Sequence, residues 1–135
     1  MDIQLINIGT NPNDGTGDSI RAAFDKANNN FNTIKTVIDR YNLQTPTSGT
    51  SIDIDNNIPT LVLDPSVTLT SLSITMPELV EDGQVQRICT SKQITSLTIN
   101  ANTNQTISNA PTTLAAGSGI AFIYSNANNN WYRMY

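Results

Sequence analysis

Residues 20–41 read IRAAFDKANNNFNTIKTVIDRY, with apolar side chains at Ile20, Phe24, Ala27, Phe31, Ile34, Ile38 and Tyr41. The gaps run four, three, four, three, four, three. That is a repeat of about 3.5 residues, with Phe24, Phe31 and Ile38 on one seam position and Ala27, Ile34 and Tyr41 on the other. The flanking positions are mostly polar, among them Asp25, Lys26, Asn28, Asn29, Asn30 and Asn32. A narrow stripe on a polar helix cannot support a monomer and calls for the same stripe from other copies. The competing arrangement is a helix laid over the chain's own sheet. The Asn-rich centre is a poor helix former, so the helix should depend on its partners. The seam content does not by itself select the number of copies.

Upstream lies NIGTNPNDGTGD, residues 7–18. As a phosphate cradle it lacks the Lys-Ser/Thr pair of a P-loop, and Asp14 and Asp18 repel phosphate. As a calcium loop it offers Asn11, Asn13, Asp14 and Asp18 but lacks the closing bidentate Glu. The sequence instead predicts a structured turn, with Gly15 and Gly17 permitting unusual backbone and Asn13 and Asp14 bonding nearby amides. Asp18 is placed to cap the following helix, with Ser19 able to share that role. Arg21, Asp25 and Lys26 are positioned to tie this loop across copies by ion pairs.

Downstream, residues 42–51 (NLQTPTSGTS) are polar, carry Pro46 and Gly49, and read as a linker. From Ile52 the apolar period changes to two. TLVL, VTLTSLSITM, QVQRICT, SLTIN, QTIS, IAFIYS and NWYRM alternate with turn-rich stretches. Asp82-Gly83 reads as a hairpin turn. About seven or eight short strands in the remaining chain point to a jelly-roll-like or β-sandwich knob. The expected organisation is an anchoring segment over 1–18, a coiled-coil helix over 19–41, a linker over 42–51 and a β knob over 52–135.

Composition limits the chemistry. The chain has 135 residues, a formal charge of -4, 38% hydrophobic residues and no histidine. Its acidity and few aromatics make it a poor partner for nucleic acid. The missing histidine removes Ser/His/Asp and Cys/His catalysis. Cys89 is the single cysteine, expected as a small buried hydrophobe in a strand. No apolar run approaches a membrane span, and MDIQLINIG has no basic n-region of a signal peptide. Asp53 and Asp55 share a strand face without an acid/base partner set, and read as a solvated edge. Glu78, Glu81 and Asp82 read as a solvated loop. Trp131, Tyr132 and Tyr135 are the candidate sugar-stacking residues, set against a Trp that fills the core. No metal site, no cofactor and no catalytic residue is expected.

INIGTNPNDGTGDSIRAAFDKANNNFNTI resembles a segment that recurs in bacteriophage tail-fibre, baseplate-associated and neck or head-fibre proteins. The match runs through Gly9, Asn13, Asp14, Gly15, Thr16, Gly17, Asp18, Arg21, Ala23, Phe24, Asp25, Lys26, Asn28, Asn30 and Phe31. Where that pattern commonly has Pro-Leu, this chain has Ser19-Ile20, and Ala27 stands where Ile is frequent. The C-terminal part is similar, more loosely, to small β domains at the ends of phage fibres, through Met76-Pro77, Asp82-Gly83-Gln84, Ile94 to Ile99, Gln105-Thr106-Ile107, Ala110-Pro111, Leu114 to Gly117 and Trp131-Tyr132-Arg133.

The resemblance implies a homotrimeric virion structural protein, not an enzyme, made and assembled in the host cytoplasm. It would form a short fibre or fibre adaptor, bound by its N-terminal region to capsid, neck, tail or baseplate proteins. A host-surface carbohydrate-binding tip is the alternative.

Overall fold

The structure is a computed structural model that describes residues 3–38 and 40–135; the side chains of Val37 and Ile38 lie outside the described set. The chain divides into two compact units, 1–39 and 40–135.

The first unit contains the chain's one described helix, α1 (Ile20–Ile38). The second contains nine strands: β1 (Tyr41–Gln44), β2 (Thr50–Asp53), β3 (Thr60–Leu63), β4 (Leu72–Thr75), β5 (Val85–Thr90), β6 (Leu97–Asn100), β7 (Thr106–Ser108), β8 (Gly119–Ser125) and β9 (Asn130–Arg133).

The first six strands alternate between two sheets. β1, β3 and β5 pair in parallel in one sheet; β2, β4 and β6 pair in parallel in the other. Each pass through both sheets makes one rung, and three rungs stack as in a β-solenoid. Beyond β5 the larger sheet continues with antiparallel β8 and β9, then β7, giving the order β1-β3-β5-β8-β9-β7. These added strands close the C-terminal side of the stack.

Rung stacking follows from period-two alternation held in register. One inward column is Ile52, Ile74 and Ile99 in the smaller sheet. Another is Leu61, Ile88 and Ile120 in the larger. A third runs through Leu69, Ile94 and Leu114, joined by isolated bridges at the corners. Like side chains stacked in this way bury their apolar area against the next rung, at about 25 cal/mol per Å². Trp131 seals the far side, fully buried, its ring 5.1 Å from Tyr124 and its indole N–H donating to Gln105 Oε1 at 2.9 Å. Asparagine makes several of the turns, because it tolerates positive φ: Asn57, Asn104, Asn109 and Asn129 all adopt it.

This corrects the expected fold class. The chain is mostly β with one short helix and a solenoid-like stack, not a coiled-coil helix followed by a jelly roll or sandwich. Tyr41, expected as the last seam residue of the helix, belongs to β1. The stretch read as a linker, 42–51, forms most of β1 and the start of β2. Asp82-Gly83 does turn the chain, with Gly83 at φ +77. It makes no hairpin, since β4 pairs with β2 and β6 while β5 pairs with β3 and β8. Cys89 faces outward from β5 and is half-buried, not a core residue.

Gln86, Thr90 and Asn130 are buried polar residues, and among the described residues Gln86 is the one with an unsatisfied atom. It is fully buried beside Phe122, and its Oε1 has no hydrogen-bond donor. Its amide group donates to the Arg87 carbonyl at 3.3 Å. A buried acceptor without a donor costs about 1–3 kcal/mol. Gln86→Leu is therefore expected to raise the unfolding free energy by about 1 kcal/mol or more, read as a higher urea midpoint at unchanged slope.

Candidate assembly surface

The N-terminal unit is built from an extended segment, a closed loop and α1. Asp14 is the hub of the loop. Its carboxylate accepts the backbone N–H of Asn11 at 2.7 Å, of Thr16 at 2.9 Å and of Thr10 at 3.2 Å, and the Thr16 hydroxyl at 2.7 Å. Residues 7 and 18 close the ring: the Asp18 N–H donates to the Asn7 carbonyl at 2.8 Å, and the Asn7 N–H to Asp18 Oδ2 at 2.8 Å. Gly17 sits where a Cβ would meet the Asn7 carbonyl and the Gly9 N–H at 2.9 Å, so no larger residue fits without moving backbone. Asn13 and Gly15 take the positive φ that the turn requires, +60 and +70.

The acids of the loop are thus committed to the chain's own amides. No group of three His, Cys, Asp or Glu side chains suited to a metal occurs among the described residues. Hydrogen bonds from the Thr16 backbone and hydroxyl, then the Asn11 backbone, hold the Asp14 carboxyl down from 3.8 to about 2. A depressed carboxylate pKa contributes stability above the ordinary value and loses it as pH falls through the folded one. The loop is accordingly expected to be intact at pH 4 and above and to open as pH falls toward 2. The Thr10, Asn11 and Thr16 amide resonances, followed by NMR, should titrate with a midpoint near 2; a midpoint near 3.8 would show that the amide cage does not form.

Ser19, not Asp18, caps the helix, its hydroxyl accepting the Ala22 N–H at 3.2 Å. Asp18 instead pairs with Lys26 Nζ at 2.7 Å, and that bond holds its pKa below the ordinary carboxylate value. The ion pair expected between copies is made here within one chain by Lys26. Arg21 and Asp25 are exposed.

Asp18, Lys26 and Asn30 together pin the extended segment. Lys26 Nζ donates to the Leu5 carbonyl at 3.1 Å. Asn30 makes a reciprocal pair with the Gln4 backbone, accepting its N–H at 2.8 Å and donating to its carbonyl at 2.9 Å. Lys26 and Asn30 stand four residues apart, on one helix face. These contacts grip backbone, so they hold the segment antiparallel to α1 whatever side chains it carries. Sequence reasoning named Lys26 only for an ion pair between copies and gave Asn30 no bonding role; their four-residue spacing was the available signal.

The apolar side chains are left outside this polar seam. Ile6, Ile20, Ala23, Phe24 and Ala27 line an apolar groove of about 250 Å³. Phe24 is 66% exposed and Phe31 69%, while Leu5 and Ile8 reach 85% and 91%. Ile20 is exposed, and Ala27 and Ile34 are half-buried. None of residues 3–36 is buried. Of the expected seam, Ile20, Phe24, Ala27, Phe31 and Ile34 therefore lie together on α1, Ile38's side chain lies outside the described set, and Tyr41 stands in β1.

The candidate sugar contacts separate. Trp131 is core. Tyr132 and Tyr135 are exposed, Tyr132 accepting a hydrogen bond from the Asn128 amide at 2.9 Å. Asp53 lies exposed on edge strand β2. No helix among the described residues is long and apolar enough to cross a membrane.

Fold and site together define a capped three-rung parallel stack carrying an N-terminal unit with an uncovered apolar surface. No family model matches the chain, and no curated protein does. Among solved structures, one described as "Structure of a chaperone-substrate complex" is similar over 68% of this chain at 22% identity, with a TM-score of 0.42. The match spans 17% of that chain's length.

Proposed function

We propose that the chain is a structural protein of a phage particle that works as a homo-oligomer, three copies being what its sequence resemblance implies. Its N-terminal unit joins the copies and attaches them to other virion proteins; the β-stack is the presented part. The observation that carries this reading is a separate N-terminal unit with no fully buried residue between 3 and 36. A unit with only half-buried side chains such as Ala23, Ala27 and Ile34 gains little apolar burial of its own to set against the entropy of ordering its backbone, about 1–2 kcal/mol per residue. Its apolar groove and the flanking Phe24 and Phe31 need covering, and the same surface on further copies supplies matching chemistry. The motif's polar residues support the reading, because they fix the backbone of the extended segment and leave Leu5, Ile6 and Ile8 free for a partner.

Sedimentation velocity on the full chain tests the assembly, and mass spectrometry of purified particles tests the location. A homo-oligomer at micromolar concentration and the chain's peptides in washed virions are expected. A folded monomer at every concentration would sink the proposal. The carbohydrate-binding alternative is weaker, since Trp131 is committed to the core.

A further inference from the structure

The β-stack has two outer faces of opposite character. On the three-stranded sheet the outward rows are Ser51, Ser73 and Thr98, then Asp53, Thr75 and Asn100, a surface of hydroxyls, carboxylate and amide suited to water. On the six-stranded sheet one outward row is Leu43, Val62, Cys89 and Gly119. Another is Val85, Ile123, Tyr132 and Ser108. Between them run Tyr41, Thr60, Arg87 and Ala121, of which Ala121 is already fully buried within the chain. Tyr41 is 65% exposed and Leu43 54%; Ile123 and Tyr132 are also exposed. Arg87 is the one charged side chain in these three rows, and Arg is the charged residue that interface cores favour.

The same rungs therefore produce a wet face and an apolar face. The apolar face is partly exposed, chiefly at Tyr41, Leu43, Ile123 and Tyr132, and a patch of this kind is often functional. Its size decides what covers it. Six strands about 4.8 Å apart and four residues long at about 3.3 Å each present roughly 300–400 Å². A stable interface needs about 800 Å² from each partner. The face is too small to hold an independent partner, but large enough to close between molecules already joined elsewhere. Only residues 39 and 40 separate the end of α1 from the start of β1. Copies joined through their N-terminal units keep their β-stacks at the high effective concentration of a short tether.

We infer that the outer face of the six-stranded sheet packs against a second copy of this chain, turned toward the axis of the oligomer. The inference rests on self-association of the N-terminal unit. Cys89, the single cysteine, stands on β5, third of the six strands, in a flanking row of the face, and reports on it. In the wild-type oligomer a maleimide should label Cys89 about tenfold more slowly, or slower still, than in a Phe24→Asp/Phe31→Asp monomer. Leu43→Lys, at an exposed position that leaves the fold intact, should restore fast labelling while the oligomeric mass stays the same.

Equal labelling in the oligomer and the monomeric variant overturns the inference alone, since the face is then open or covered by its own chain. A wild-type chain that sediments as a monomer overturns the reading beneath it.

Discussion

Aspartate at both Phe24 and Phe31 is expected to leave the chain monomeric. Both rings are about two-thirds exposed in the single chain, so the substitutions remove little that one copy uses. Covering a Phe in an interface contributes about 1.5–3 kcal/mol. Losing two per copy costs about 3 kcal/mol or more, some two orders of magnitude in association constant. Two carboxylates placed in an apolar contact add a desolvation cost. Sedimentation should show the mass of one chain at concentrations where the wild type assembles. Circular dichroism should show the β signal retained and the helical signal reduced, because a 19-residue helix with an Asn-rich centre is marginal alone. An unchanged sedimentation coefficient would mean that Phe24 and Phe31 do not carry assembly.

Trp131→Ala is expected to be the most damaging single change in the β-stack. Trp131 is fully buried, and truncating a buried Trp costs about 3–5 kcal/mol. The change also strips Gln105 Oε1 of the indole donor it meets at 2.9 Å, which adds an unsatisfied acceptor. Against a typical domain stability of about 5–15 kcal/mol, this takes much of the margin. A urea titration should show the loss, or the protein should be recovered unfolded. If Trp131 instead served as a sugar platform, the variant would fold with near-native stability and lose only binding.

Strand positions were legible in the sequence, and strand partners were not. TLVL, QVQRICT, SLTIN, QTIS, IAFIYS and NWYRM all contain strands, because alternation at Leu61 and Leu63, or Leu97 and Ile99, records which side chains enter the core. It does not record which strand lies next. The same alternation serves a sandwich and a parallel stack, and nothing local distinguishes Ile52 stacked on Ile74 from Ile52 facing another sheet.

β1 was hidden for a related reason. Asn42 and Gln44 occupy the inward positions level with Leu61 and Leu63, at the end of the stack where no further rung covers them. They bond to each other at 2.9 Å, and such polar residues look like a linker. On α1 the four-three spacing was read as a coiled-coil seam, and in the single chain its Phe24 and Phe31 stand exposed. It gave no sign that Lys26 and Asn30 hold an extended segment alongside.

The stack also bears on how such a protein changes in length. Each rung makes its contacts with the rung before and the rung after, through columns such as Ile52, Ile74 and Ile99. The closing strands β8 and β9 need only a β5-like edge to pair with, and the polar first rung needs only a β3-like one. A duplicated rung between them would find both neighbours already suited to it and would extend the unit by about 4.8 Å. The distance such a unit spans is therefore inherited in whole rungs, as a copy number, with both ends left as they are.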